Sequence, residues 1–135
     1  MPRRTAAGID YNRVNLLMAV LEKRCRLPLS RYDAYVNIAG GMRMNEPAVD
    51  LAAVIAIISS FRDRAVEADT VIFGEVGLSG EVRAVPLAEY RIREAEKLGF
   101  TRCIMPKSNA EKCKAVENIA CCGVSSIQEA MHLLF

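Results

Sequence analysis

Few residues in this 135-residue sequence could perform acid–base or nucleophilic chemistry, and the only histidine is His132. His132 stands three residues from the C-terminus, on a predicted helix beside Leu133 and Leu134, which favours a packing or surface role over catalysis. A histidine-based triad is therefore not expected. The sequence also lacks a Gly-x-x-x-x-Gly-Lys-Ser/Thr phosphate loop and a Gly-x-Ser-x-Gly nucleophile turn. A serine–lysine dyad needs no histidine, so these observations do not exclude it.

Five cysteines offer thiol chemistry, but their spacing does not match a metal site. They stand at positions 25, 103, 113, 121 and 122, and no Cys-x-x-Cys pair occurs. With a single histidine they lack the ligand spacing of a zinc site, so we expect no bound metal. Small buried thiols are typical of the reducing cytoplasm, where we expect the protein to reside. The N-terminus lacks a signal peptide and the longest apolar stretch, 47–58, is too short to span a bilayer, so no membrane partner is expected.

Positive charge is concentrated at the N-terminal end of the chain. Residues 1–31 contain seven Lys or Arg against two acidic residues, a net charge of +5, whereas the whole chain carries only +2. Such an excess fits a nucleic-acid surface, an acidic protein partner or an ordinary solvated face. Aromatic residues make up 6% of the chain, which argues against a base-stacking platform for single-stranded nucleic acid.

Two predicted helices dominate the first half of the sequence. Asp10 can cap a helix over 11–25, whose apolar residues recur at helical spacing. Asn45 can cap a second helix over 46–61, which is apolar almost all round and therefore expected to be buried. Asp50 is its one interior charge, and a buried carboxylate needs a partner.

The remaining pattern predicts an α/β domain with a mixed sheet, a central hairpin and packed helices. Residues 77–80 can form the turn of that hairpin. We assign 1–9 to an N-terminal arm or linker and 10–135 to the domain. The other predicted elements are strands at 33–39, 70–76, 81–85, 101–105 and 119–124, a helix over 87–98, a short helix capped by Ser108 and Asn109, and a final helix capped by Ser126.

Two segments are specific enough to indicate a family. One reads Asn37-Ile-Ala-Gly-Gly-Met-Arg-Met-Asn-Glu-Pro-Ala-Val-Asp-Leu-Ala, and the other reads Gly74-Glu-Val-Gly-Leu-Ser-Gly-Glu-Val-Arg. Together they resemble the Lon-protease-like domain at the C-terminus of the RadA (Sms) family of bacterial DNA-repair proteins. The resemblance covers nearly the whole chain and implies a Lon-protease-like fold for 10–135.

The resemblance also implies that the peptidase dyad is missing. The nucleophilic serine of active Lon proteases follows a proline, here Pro47, and the next residue is Ala48. Alignment on Gly99 places Glu89 where the catalytic lysine would stand. We therefore expect no catalytic residues and no enzyme activity. The alternative is an active Lon-type serine peptidase with a non-standard nucleophile, for which Ser79 is the candidate, although a serine between glycines is ordinary turn chemistry.

The function implied by the resemblance is that of a scaffold for a hexameric ring and a DNA-contacting module in recombinational repair. The expected partners are further copies of the chain, DNA bound without sequence preference, the other domains of the parent protein, and recombination proteins. ATP, magnesium and zinc are expected in those other domains and not here. A third hypothesis is that the chain only assembles with further copies and does not contact DNA.

Basic residues are the candidates for contact with DNA phosphates. Alternatives remain for two of them, since Arg43 could pair with Glu46 or Asp50 and Arg13 could pair across a subunit boundary. The candidates are Arg3, Arg4, Arg13, Lys23, Arg24 and Arg43.

Overall fold

The computed structural model describes residues 2–135, which contain seven short strands and five α-helices, as predicted for an α/β domain. The two types of element alternate except between the second and third helices, where three strands follow one another. Parallel and antiparallel pairing both occur, but in three small sheets and not in one mixed sheet. The elements are β1 (Arg4–Ala7), α1 (Tyr11–Cys25), β2 (Ala34–Asn37), α2 (Asp50–Arg62), β3 (Thr70–Ile72), β4 (Glu75–Val76), β5 (Val82–Arg83), α3 (Ala88–Lys97), β6 (Arg102–Pro106), α4 (Lys107–Lys112), β7 (Ala120–Val124) and α5 (Ile127–Leu134).

The chain begins with a strand–helix–strand unit. β1 and β2 pair in parallel, and α1 connects them, so the helix runs back against β1. The predicted helix boundaries are confirmed, and Asp10 caps α1 by accepting a hydrogen bond from the Arg13 amide. β1 lies inside the segment expected to be an arm. Its pairing depends on β2, some thirty residues later in the sequence, and no local pattern indicates it.

α2 is largely buried, as its composition predicts, but it begins later than expected. Pro47–Val49 form a 3-10 turn, and the α-helix starts at Asp50. Asn45 does not cap it, because the residue before the helix is Val49. The main chain of Gly74 instead bonds this region twice, donating to the Ala48 carbonyl at 2.9 Å and accepting from the Leu51 amide at 3.0 Å.

The predicted strand over 70–76 is divided at Gly74. Gly74 has φ +155°, and a side chain there would lie 3.1 Å from Val82 and 3.3 Å from Pro106. β3 therefore joins β6 and β7 in a parallel sheet, while β4 turns away to form the predicted hairpin with β5. The hairpin carries the chain across the N-terminal end of α2, where the site residues lie.

Two apolar clusters form the core. The larger packs α1, α2 and α5 together, and the smaller packs α3 on one face of β6. Ser126 caps α5 as predicted, with its hydroxyl accepting from the Glu129 amide at 3.1 Å. Asn109 does not cap α4. Its side chain bonds both the amide and the carbonyl of Val85, at 2.9 and 3.1 Å, and so ties α4 to the segment before α3.

Within residues 2–135, no helix is both long enough and apolar enough to cross a membrane.

Candidate functional site

The geometric centre of the candidate site is an ion pair between α1 and α2. The guanidinium of Arg13, in the first turn of α1, donates to both carboxylate oxygens of Asp50, with 3.0 Å from Nε to Oδ1. Arg13 also donates to the Val76 carbonyl at 3.1 Å, and the Val76 amide donates to Asp50 at 3.0 Å. Two of these hydrogen bonds join the starts of the two helices to each other, and the other two join them to β4.

Burial and charge explain why these bonds form. The Asp50 side chain is only 3% exposed, so its charge needs partners, and the carboxylate receives three donors. The pKa of Arg13 is raised because its hydrogen bond to Asp50 outweighs the opposing effect of burial. Arg13 therefore pairs within its own chain, not across a subunit boundary as one alternative had it.

Position 48, the expected site of a nucleophile, holds a methyl group in the core. Ala48 is 4% exposed and belongs to the apolar cluster that includes Phe73, Ala88 and Ile92. Arg91 pairs with Glu46 and lies 5.9 Å from the centre of the Phe73 ring. Position 48 itself supplies no hydroxyl, thiol or amine, and the one thiol among the buried residues of this cluster, Cys103, is fully buried in β6.

Glu89, at the expected position of the lysine, has partners elsewhere. Its carboxylate accepts from the Lys114 amide at 3.2 Å and lies 3.7 Å from Arg93. The two positions of the expected dyad therefore carry an alanine and an ion-paired carboxylate, and this arrangement contains no nucleophile with a base.

Ser79 lies in the exposed turn of the β4–β5 hairpin. Its amide donates to Glu81 at 3.0 Å, and the Gly80 amide closes the turn on the Gly77 carbonyl at 3.0 Å. The nearby carboxylate is a weak base, because hydrogen bonds from Arg83 and from backbone amides lower the pKa of Glu81. These contacts are those of a well-capped turn.

A cleft of about 440 Å³ opens beside the Arg13–Asp50 pair. Asp10, Glu46 and Glu75 lie on its wall with Ile9 and Pro47. Because Arg13 and Asp50 neutralise each other, the wall is acidic. Arg43 does not pair with Glu46 or Asp50, because Glu46 pairs with Arg91 and Asp50 pairs with Arg13. The Arg43 side chain is exposed.

The six basic candidates divide into two groups. The guanidinium groups of Arg4 and Arg13 donate hydrogen bonds within the domain. Arg4 donates to the carbonyls of Tyr32 and Leu29, the latter at 2.8 Å, and so fastens β1 to the loop before β2. Exposed side chains make up the other group, which consists of Arg3, Lys23, Arg24 and Arg43.

Three of the exposed candidates lie at one end of the molecule. Because α1 runs against β1, the last turn of α1 with Lys23 and Arg24 lies at the same end as Arg3. Arg43 follows β2 and lies at the opposite end, near Gly8. The structure thus brings Arg3, Lys23 and Arg24 to one end and separates Arg43 from them.

Two further arginines lie at this end, and of these only Arg62 was not indicated by the sequence. Arg26 follows α1, and Arg62 ends α2, whose last turn lies beside that of α1. Arg62 partly offsets the rise that burial causes in the pKa of Cys25. The signal that could have found Arg62 is a cation in the last turn of a buried helix. We call Arg3, Lys23, Arg24, Arg26 and Arg62 the basic pole.

In residues 2–135 no three His, Cys, Asp or Glu side chains are arranged to hold a metal ion. The cysteines are free thiols; Cys103 pairs in register with Cys121 across β6 and β7. Burial raises the pKa of Cys103 strongly, and the neighbouring Cys121 thiol adds to the rise. His132 is exposed on α5, which agrees with the surface role expected for it.

Comparison with known proteins identifies a family and a set of relatives. DNA repair protein RadA of Bacillus subtilis is 52% identical over 131 residues, and that of Halalkalibacterium halodurans is 48% identical over 132. DNA repair protein RadA of Synechocystis sp. is 54% identical over 106 residues. These matches cover 97%, 98% and 78% of this chain but only 29%, 29% and 21% of the relatives, so the chain spans less than a third of their length.

A family model described as subunit ChlI of Mg-chelatase matches residues 8–109. The match includes the Arg13–Asp50 pair, the cleft and the hairpin. Because it covers most of the chain, the chain belongs to this family, and its relatives in bacteria include DNA repair proteins named RadA.

Proposed function

We propose that this chain is the non-proteolytic, Lon-protease-like part of a RadA-type DNA repair protein. A repair role is favoured over a chelatase role because relatives that match up to 98% of the chain carry the repair name. The remaining length of those relatives leaves room for the ATPase and zinc-binding parts, to which we assign ATP, magnesium and zinc. The parent protein would act on the bacterial chromosome and therefore in the cytoplasm, together with other recombination proteins.

The observation that carries the non-proteolytic assignment is the buried methyl group of Ala48. A peptidase nucleophile must reach a substrate carbonyl, and Ala48 has neither a reactive atom nor access to the cleft, being 4% exposed. The sharpest test is hydrolysis of an unstructured protein substrate by the purified chain, with the Ser79→Ala variant beside it. We expect no turnover from either. Turnover that the Ser79→Ala change abolishes would establish the alternative, a peptidase with a non-standard nucleophile.

We propose that the chain also serves as a ring scaffold. Several large apolar side chains are exposed on the isolated chain, which supports burial against further copies. Tyr35 on β2 is 64% exposed, and Leu87, Tyr90 and Leu98 on or beside α3 are 70%, 61% and 76% exposed. Sedimentation equilibrium of the chain over a range of concentrations tests this proposal. A six-fold mass supports a hexamer, and a strict monomer at all concentrations contradicts a ring formed by this part alone.

DNA contact is the second part of the proposed role. The exposed side chains of Arg3, Lys23 and Arg24 lie at one end, where they can neutralise phosphates without reading sequence. Arg4 and Arg13 are left out of this surface because their guanidinium groups bond within the domain. Arg43 is a separate, single contact at the other end.

Fluorescence anisotropy with a labelled DNA duplex tests the contact. We expect binding that weakens as salt rises and is lost in a Lys23→Glu/Arg24→Glu variant. The matched control is Arg93→Glu/Lys97→Glu, which reverses two exposed charges on α3. Absence of binding at low salt by the assembled wild-type chain would support the third hypothesis, a pure assembly domain.

A further inference from the structure

The ends of three helices enclose a groove that the sequence did not indicate. It has a volume of about 320 Å³ and lies between the last turns of α1, α2 and α5. Arg24, Arg26 and Arg62 line it together with His132. Apolar atoms of Met131 and Phe135 also contribute to its wall. The groove is therefore a concave, positively charged part of the basic pole with an apolar side.

The positive charge of the groove is not neutralised by acidic side chains of the described residues. Among residues 2–135, none of the three guanidinium groups has a carboxylate within 4.0 Å or a hydrogen bond to another group. Each helix C-terminus contributes a partial charge of only about −0.5. Two of the free helix carbonyls are already satisfied, since Leu21 accepts from the Arg26 amide and Arg24 accepts from Gln128 at 2.8 Å. Three full positive charges therefore exceed the negative charge that faces them.

The shape of the groove selects among nucleic acids. A duplex holds its bases stacked inside and presents a convex surface, whereas an unpaired strand can place a phosphate and a base in one concave site. The groove offers cations for the phosphate and the apolar atoms of Met131 and Phe135 for the base. A series of stacking aromatic side chains is absent from its lining, so the strand would be held mainly by its backbone.

We propose that this groove binds one nucleotide unit of single-stranded DNA, with the phosphate on Arg24, Arg26 and Arg62. The inference rests on the proposed DNA contact and adds the class of DNA and the place where it binds. Arg26 and Arg62 are specific to the groove, because the DNA surface proposed above consists of Arg3, Lys23 and Arg24.

The test compares binding of a ten-nucleotide single strand and of the same sequence as a duplex. We expect the wild-type chain to prefer the single strand. An Arg26→Gln/Arg62→Gln variant should bind it at least about fivefold more weakly, with a salt dependence less steep by about 1.4 in logarithmic slope. An Arg93→Gln/Lys97→Gln control should bind like wild type. Circular dichroism of both variants confirms that they are folded.

A site-specific readout is available because His132 is the only histidine in the sequence. Its ring-proton NMR signals should move on addition of the single strand to wild-type protein and not in the Arg26→Gln/Arg62→Gln variant. If the chain binds DNA but both variants bind equally and the His132 signals stay fixed, the groove assignment is wrong and the proposed DNA contact stands. If the wild-type chain binds neither single strand nor duplex, both proposals fall.

Discussion

Asp50 is the one charged residue that is buried among residues 2–135, and its position decides how the first two helices meet. Three donors converge on its carboxylate from α1 and β4. The sequence already indicated that this aspartate would need a partner, because it interrupts an apolar helix. The partner itself could not be deduced, since Arg13 is separated from it by 37 residues and Arg43 is nearer in sequence.

Removing the Asp50 carboxylate should destabilise the fold strongly. In Asp50→Ala, the Arg13 guanidinium and the Val76 amide lose their acceptor, so we expect the free energy of unfolding to fall by about 3 kcal/mol. Urea unfolding followed by circular dichroism measures the change. Glu94→Ala, which breaks the exposed pair with Lys97, is the control and should cost less than about 1 kcal/mol. Equal losses in the two variants would contradict a structural role for the buried pair.

Cys103 should make stability depend on pH in the alkaline range. Burial raises the pKa of its thiol above the ordinary value of 9.0, so the unfolded chain releases this proton at a lower pH than the folded chain. The stabilising effect is complete below about pH 9, and stability then falls by up to about 1.4 kcal/mol per pH unit as pH rises. Urea unfolding at several pH values measures this slope. Cys103→Ala should flatten it relative to wild type, and an unchanged slope would contradict the assignment.

Local signals defined some elements of the fold and long-range contacts defined others. α1 was predicted with its boundaries because Asp10 and the apolar repeat lie within the helix and its cap. β1 was missed because its partner strand follows only after α1. The start of α2 was misplaced because the main chain of Gly74, and not a side chain of the preceding loop, bonds that end.

Gly8 shows how tightly the junction between β1 and α1 is packed. It has φ +81°, and a side chain there would place its Cβ 2.8 Å from that of Ile38. Gly8→Ala should therefore cost about 2 kcal/mol or more in urea unfolding, through backbone strain and displacement of the segment after β2. Gly40→Ala is a matched control, since Gly40 has φ +83° but nothing within 4 Å of the added carbon. If Gly8→Ala lowers the free energy of unfolding no more than Gly40→Ala does, the close contact with Ile38 has no effect on stability.

In the folded molecule the basic pole and the acidic cleft beside Asp50 lie at opposite ends of α1, although the sequence offered no way to separate them. The net charge of +5 in residues 1–31 is compatible with a nucleic-acid surface, an acidic partner or a solvated face at the N-terminal end of the chain. In the structure Arg13 and Arg4 belong to the interior contacts, while Arg62, from outside that segment, completes the basic pole. The cleft beside Asp50 lies at the other end of α1 and has an acidic wall. A charge count along the chain cannot distinguish an arginine that bonds to the domain from one that faces solvent.

That separation bears on whether a peptidase could be rebuilt at the cleft. Ala48→Ser/Glu89→Lys would restore both residue types of the dyad, yet we expect no hydrolysis of an unstructured protein substrate. The new hydroxyl would lie in the apolar cluster with Phe73, and the side chain of position 89 is directed toward Lys114, where Glu89 now accepts a hydrogen bond. Adding a buried hydroxyl without a partner should also lower stability by about 1–3 kcal/mol, measurable by urea unfolding. Measurable turnover would show that the cleft still holds catalytic geometry, and that only the two side chains separate this chain from an active peptidase.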